Sequence, residues 1–174
     1  MKMSISRREM AEAKVIIEHD KLHHACEEIK ARGEKIVLMT GCFDLLHAGH
    51  LDAICDASEH GTLVVGINSD EFVKRLKGEN RPIRNQEERA YLMAGFENVR
   101  IVTVFDDDCH LMRCVCPTYY VASVTSHEKV WDIPEQMELL RELGIEIITF
   151  GPEKRNSTTG IIKLILNLNL NIEI

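Results

Sequence analysis

Short apolar runs bounded by glycine and polar clusters recur along the chain, and between them the apolar residues spread to the 3.6-residue spacing of amphipathic helices. Residues 6–32, rich in Ala, Glu, Lys and Arg and free of proline, read as helical, with Arg32-Gly33 as the stop. Residues 35–40 read as a buried strand, Gly41-Cys42-Phe43-Asp44 as a turn, and residues 45–59 as a helix with Leu51, Ile54, Cys55 and Ser58 on one face. The continuous apolar run 62–67, between Gly61 and Asn68-Ser69-Asp70, fits a strand covered on both faces. Residues 71–84, with Lys74, Arg75, Lys77, Arg81 and Arg84 around Gly78 and Pro82, read as a phosphate-facing loop. Residues 85–96 follow as a helix capped by Asn85, with Glu87 and Glu88 suited to the positive end of its dipole. Then come a strand at 100–105, a weaker helix at 106–114, a strand at 118–122, a helix at 134–143, a strand at 145–150 and a helix at 160–166 capped by Ser157-Thr158-Thr159.

This β-then-α order predicts a doubly wound, Rossmann-like parallel α/β sheet in a single domain, whose ligands bind beyond the carboxyl ends of the strands. The expected organisation is an N-terminal helical segment at 1–34, the α/β domain at 35–166 and an extended tail at 167–174. Leu166, Leu168, Leu170, Ile172 and Ile174 alternate with Asn167, Asn169, Asn171 and Glu173, a period of two that predicts a strand. Such a strand could add to a sheet edge of this subunit or a neighbour, which gives the expectation of a homodimer.

Composition narrows the function. The chain has 174 residues and a formal charge of −7, from 21 Lys and Arg against 28 Asp and Glu, so a sequence-independent grip on nucleic acid or an anionic membrane is disfavoured. No N-terminal stretch joins a basic end to a long apolar core, because Val15-Ile16-Ile17 is broken at once by Glu18-His19-Asp20. With six scattered cysteines read as thiols, the expectation is a cytoplasmic protein. Cys109-His110 with Cys114-Val115-Cys116 lacks the spacing of a zinc site, and no protein-held metal is expected.

The chemistry centres on Gly41-Cys42-Phe43-Asp44-Leu45-Leu46-His47-Ala48-Gly49-His50, where the first strand gives way to a helix. His47 and His50, three apart, fall on one face of the first helical turn, beside unpaired backbone N–H groups and the positive dipole end. Gly49 leaves no side chain between them, so a phosphate can approach the backbone. Asp44 and Asp70 sit at two strand ends facing this site. Asp70 either binds a ribose hydroxyl or caps a helix starting at Glu71.

HAGH in this setting resembles the HxGH signature of the nucleotidyltransferase superfamily. The wider pattern GCFDLLHAGH, GINSDEFVKRLKGENRPI, EERA and STTGII, spanning about residues 22–165, is similar to the adenylyltransferases of ADP-heptose synthesis. Glycerol-3-phosphate cytidylyltransferases share part of it. The resemblance implies transfer of a nucleoside monophosphate from an NTP, ATP favoured, to a sugar phosphate such as heptose 1-phosphate, with release of pyrophosphate. It implies that His47, His50 and Lys77 act on the triphosphate as catalytic groups. Gly41, Cys42, Phe43, Gly49, Asp70, Ser157, Thr158 and Thr159 would hold the nucleotide, and Asp44, Arg81 and Arg89 the acceptor. Mg²⁺ is expected to arrive with the NTP, bound chiefly by phosphates and water.

One stretch departs from the pattern. Relatives near the heptose enzymes carry a KGGD-like turn after their fourth strand, where this chain reads Val121-Ala122-Ser123-Val124-Thr125-Ser126-His127-Glu128. Base and acceptor choice therefore stay open between ATP with a sugar phosphate and CTP with glycerol 3-phosphate or a similar alcohol phosphate. A third reading is a nucleotide-binding module without turnover. Length and negative charge argue against an aminoacyl-tRNA synthetase, and the length is expected to hold no fused kinase.

Overall fold

In the computed structural model, which describes residues 6–122, 130–150 and 157–167, five parallel strands form one sheet in the order β3-β2-β1-β4-β5. The strands are β1 (Ile36–Gly41), β2 (Thr62–Asn68), β3 (Val99–Phe105), β4 (Tyr119–Val121) and β5 (Glu146–Ile148). β1 is central, with Leu38 paired to Val64 on one side and to Tyr120 on the other. Strand order runs outward from β1 through β2 to β3, then restarts on the other side of β1 with β4. The switch point therefore lies between β1 and β4, where open α/β sheets part to admit ligands.

Alternation along β1 divides the core in two. Ile36 and Leu38 pack with Leu22, Cys26 and Ile29 of α2 (His19–Ala31), Leu111 and Met112 of α6 (Asp108–Val115) and Leu139 and Leu140 of α7 (Pro134–Glu142). Val37 and Met39 face the other way, onto Ile54 and Ala57 of α3 (Ala48–Ser58) and Ala90, Met93 and Ala94 of α5 (Gln86–Ala94). The continuous apolar runs read as doubly covered strands have this origin.

Three local expectations are corrected. The helix expected over 6–32 is two helices, α1 (Arg7–Glu12) and α2, and between them Val15 bridges Val102 of β3, with Ile16 N–H donating to Val102 O at 2.8 Å and Val102 N–H to Lys14 O at 2.9 Å. The β-branched run Val15-Ile16-Ile17 is poorly suited to a helix and well suited to covering the edge of β3. The basic stretch after β2 is not all loop: α4 (Asp70–Lys77) begins at once, capped by Ser69, and ends at Gly78 with φ 91°. At the C-terminal end, helix α8 (Thr158–Asn167) takes in Leu166, the end of the expected helix and the first residue of the alternating run, and also Asn167, expected in the extended tail; the rest of that tail lies outside the described residues. α8 has no buried residue. Among the described residues no helix is long and apolar enough to cross a membrane.

Candidate functional site

β1 ends at Gly41, and the chain turns through Cys42, Phe43 and Asp44 before α3 starts. Phe43 occupies the left-handed region at φ 47°, and its ring folds back so closely that a Cβ on residue 41 would lie 3.0 Å from it, which explains the glycine there. His47 is the N-cap of α3, extended at φ −148°, and its side chain makes no capping bond. The expectation that both histidines lie within one helical turn is corrected to this extent: His47 precedes the helix, and only His50 is inside it, its N–H donating to His47 O at 2.9 Å. An imidazole free of capping can lie over the helix end. It stacks on His50 with ring centroids 3.8 Å apart, and the edge of Phe43 closes behind His50 at 5.2 Å.

Burial pushes the His47 pKa down, and burial, then the neighbouring His47 and Lys77 charges, push that of His50 down to about 4. At neutral pH His50 is therefore uncharged and offers an N–H as donor. The Nδ1 atoms of both rings are buried without a hydrogen-bond partner among the described residues. Lys77, exposed at the last position of α4, adds an ammonium whose field reaches His50. Unsatisfied ring nitrogens, a helix N-terminus and a nearby cation are together groups that can attract anionic oxygens.

Below this pair the turn is held by two ion pairs, each with one fully buried partner. Asp44, 1% exposed, accepts from Ile83 N at 2.9 Å, Arg84 N at 3.0 Å and Arg81 Nε at 2.7 Å, and Arg81 Nη2 lies 2.6 Å from the same carboxylate. Burial alone would raise its pKa, but the Arg84 and Ile83 amides and the Arg81 guanidinium together hold it below the usual carboxylate range. Arg89, also 1% exposed, donates from Nε to Arg84 O at 3.0 Å, from Nη1 to Cys42 O at 2.5 Å and from Nη2 to Asp70 Oδ1 at 2.7 Å. Asp44, Arg81 and Arg89, expected to face the acceptor, thus meet internal partners, because a buried charge without one is costly. Asp70 is the first residue of α4, and the cap is Ser69, whose Oγ accepts from Phe72 N at 3.0 Å and also donates to Asp106. Of the two readings of Asp70, capping is removed.

The N-terminus of α8 comes to the same turn. Thr158 Oγ1 donates to Leu45 O at 3.1 Å, and Ser157 Oγ caps the helix by accepting from Gly160 N at 3.0 Å. Ser157 and Thr159 are exposed. Gly41 and Thr40 also open onto a cleft at the switch point, whose wall includes Asn68, Phe72, Tyr120 and Gln136. The Tyr120 hydroxyl shares a 2.8 Å hydrogen bond with Thr40 Oγ1. Of these, sequence reasoning named Gly41 and passed over Thr40, Asn68, Phe72, Tyr120 and Gln136, although Thr40, Asn68 and Tyr120 lie at or next to a strand's carboxyl end, and that position was the available signal. Val121 and Ala122 line the same cleft, and the remainder of the departing stretch, residues 123–128, lies outside the described residues. A larger open hollow, lined by Lys14, Arg32, Glu34, Glu97 and Arg100, lies at the amino ends of β2 and β3, away from the histidines.

Among the described residues no group of three or more His, Cys, Asp or Glu side chains could hold a metal. In the cysteine cluster, His110 Nε2 lies 2.7 Å from His19 Nδ1, and Cys114 Sγ donates to His19 O.

A cytidylyltransferase-like family model matches residues 38–165. The bifunctional protein HldE of Wolinella succinogenes is 44% identical over 109 residues, 61% of this chain and 23% of that protein. The HldE protein of Vibrio cholerae serotype O1 is 38% identical over 154 residues, 86% of this chain and 32% of that protein. The chain spans about a third or less of the length of these curated relatives. Among solved structures, a lipopolysaccharide core biosynthesis protein from Thermoplasma volcanium superposes with a TM-score of 0.59 at 24% identity, over 68% of this chain and 98% of that one. A pantoate-beta-alanine ligase from Francisella tularensis gives 0.57 at 14% identity, over 85% and 75%. These two likenesses concern the fold.

Proposed function

The chain belongs to the cytidylyltransferase-like family of nucleotidyltransferases, and on that premise we propose that it transfers a nucleoside monophosphate, adenylate favoured, from an NTP to a sugar phosphate such as heptose 1-phosphate. The observation that carries this reading is the stacked His47–His50 pair at the N-terminus of α3, with buried, unpartnered Nδ1 atoms and Lys77 nearby. ATP and the heptose phosphate are favoured by the similarity of the GCFDLLHAGH, KRLKGENRP and STTGII segments to adenylyltransferases of ADP-heptose synthesis.

An acceptor phosphate oxygen attacks the α-phosphorus, the bond from that phosphorus to the bridging oxygen breaks, and pyrophosphate leaves with the electron pair. The attacking oxygen is already ionised near neutral pH, so little general-base work is needed, and positioning and charge stabilisation dominate. His47 and His50 donate ring N–H groups to phosphate oxygens as charge moves onto the leaving pyrophosphate, and Lys77 neutralises part of that charge. The α3 amides around Gly49 and the N-terminus of α8 at Ser157, Thr158 and Thr159 hold the nucleotide phosphates, beside the backbone of Gly41, Cys42 and Phe43. Mg²⁺ enters as part of the nucleotide substrate.

The experiment is pyrophosphate release from ATP and from CTP, each with heptose 1-phosphate and with glycerol 3-phosphate, paired with calorimetry of nucleotide binding. ATP with the sugar phosphate is expected to turn over, and His47→Ala and His50→Ala to lower kcat about 10²-fold or more. Turnover with CTP and glycerol 3-phosphate alone replaces the substrate assignment. Nucleotide binding with no release from any pair would leave a binding module and defeat the enzyme reading.

A further inference from the structure

Arg89 is the largest of the fully buried side chains. A guanidinium keeps its charge at any working pH and is expensive to bury, so its partners reveal what it is for. Each edge of the fork meets a different segment. Nη1 holds Cys42 O in the turn that leads to the histidines, Nη2 holds Asp70 at the start of α4, and Nε holds Arg84 O in the chain entering α5.

These segments carry the groups assigned to the triphosphate. Cys42 lies five residues before His47, and α4 runs from Asp70 to Lys77, so both histidines and the lysine hang from elements tied to one guanidinium. The second ion pair locks onto the first through the backbone of Arg84, which gives its N–H to Asp44 and its carbonyl to Arg89. Asp44 itself sits in the histidine turn. None of these bonds requires a ligand.

Resting on the function proposed above, we infer that Arg89 is a positioning residue, which fixes the histidine turn relative to the helix carrying Lys77 and does not itself contact the acceptor phosphate. A planar fork suits the task because one rigid group must satisfy acceptors lying in three directions. The Arg89 side chain is 0% exposed, so a phosphate could reach it only if the segments packed over it moved.

The test uses Arg89→Lys and Asp70→Asn in the full chain. Each is measured twice, by steady-state kinetics against both substrates and by NMR titration of the His50 imidazole without substrate. A lysine ammonium reaches fewer of the three acceptors, so Arg89→Lys is expected to lower kcat about 10- to 100-fold with both KM values within about threefold. Asp70→Asn is expected to shift kcat the same way by less. Without substrate, the His50 titration moves up toward the ordinary histidine value in both variants, as the turn loosens and water enters.

A tenfold or larger rise in acceptor KM with kcat preserved in Arg89→Lys overturns the inference, because it marks direct contact with the acceptor. So does an unmoved His50 titration in both variants. Should Arg89→Lys fail to fold, Asp70→Asn decides by the same two readouts. A wild-type chain that releases no pyrophosphate from any pair refutes the proposed function and leaves the titration to judge the positioning role alone.

Discussion

Asp44→Asn tests the local design most directly. The carboxylate is 1% exposed, accepts two backbone N–H groups and faces a guanidinium whose side chain is only 14% exposed. An asparagine keeps the shape but removes the charge and turns an NH₂ toward groups that are all donors. Breaking one side of a buried pair costs about 3–5 kcal/mol, and the residual exposure of Arg81 puts the expected loss at the lower end, about 3 kcal/mol. With a urea m-value of about 2–3 kcal/mol/M, the unfolding midpoint at pH 7 should fall by about 1–1.5 M. The pH dependence gives a second handle. Because the folded pKa of Asp44 lies below its unfolded value of about 3.9, its contribution is complete above that value and is lost as pH falls through the folded pKa. The gap between wild type and Asp44→Asn should therefore stay constant from pH 8 to 5 and close only below about pH 4. A midpoint shift under about 0.3 M at pH 7, or a gap that closes between pH 8 and 5, refutes the clamp.

His50, with its folded pKa near 4, has the same sign of linkage in a higher pH window, since its folded pKa also lies below the unfolded value and the unfolded chain takes up the proton first as pH falls through about 6.5. Stability should decline between about pH 6.5 and 4, by at most about 3 kcal/mol from this residue, and His50→Gln should remove that slope. An NMR midpoint for His50 at or above 6 in the free protein would show that burial does not hold it neutral. The homodimer expected from the sequence has an apolar surface available on α8, where Leu164, Ile165 and Leu166 are 60%, 50% and 72% exposed. If a second copy covers it, sedimentation should give twice the chain mass and Leu166→Ser should halve it. A monomeric wild type ends that expectation.

The parallel sheet was legible because doubly covered strands leave unmistakable apolar runs, and the histidine turn because glycine, histidine and a strand end coincide; the strand order came only with the structure. Less legible was everything decided by long-range pairing. Nothing local in Val15-Ile16-Ile17 says that β3 needs its edge covered, and nothing in Thr40 or Tyr120 says that their hydroxyls meet 80 residues apart. Arg89 shows the same limit in its sharpest form. Its place on a helix after a basic stretch suggests a phosphate ligand, and only the fold reveals that Cys42 O, Arg84 O and Asp70 already occupy it.

That limit changes how an acidic chain can receive a polyanion. From sequence, the cations between Lys74 and Arg89 form a positive patch within a protein of charge −7. In the structure Lys74 pairs with Glu71, Arg81 with Asp44 and Arg89 with Asp70, while Arg75 lies over the Phe72 ring. Much of the patch is neutralised internally. What faces the proposed phosphate site is Lys77, two helix N-termini and an uncharged His50 stacked on His47. Such a site draws its strength from oriented dipoles and desolvated donors, which need little reorganisation as charge shifts from the α-phosphorus to the leaving group. Binding that is equally strong to the ground-state triphosphate and to the transition state gains nothing in rate, so placement of the donors matters more than the number of cations. On the proposed function, the internal pairing of Arg81 with Asp44 and of Arg89 with Asp70 serves to fix the donors around the histidine turn and leaves Lys77 as the cation facing the phosphates.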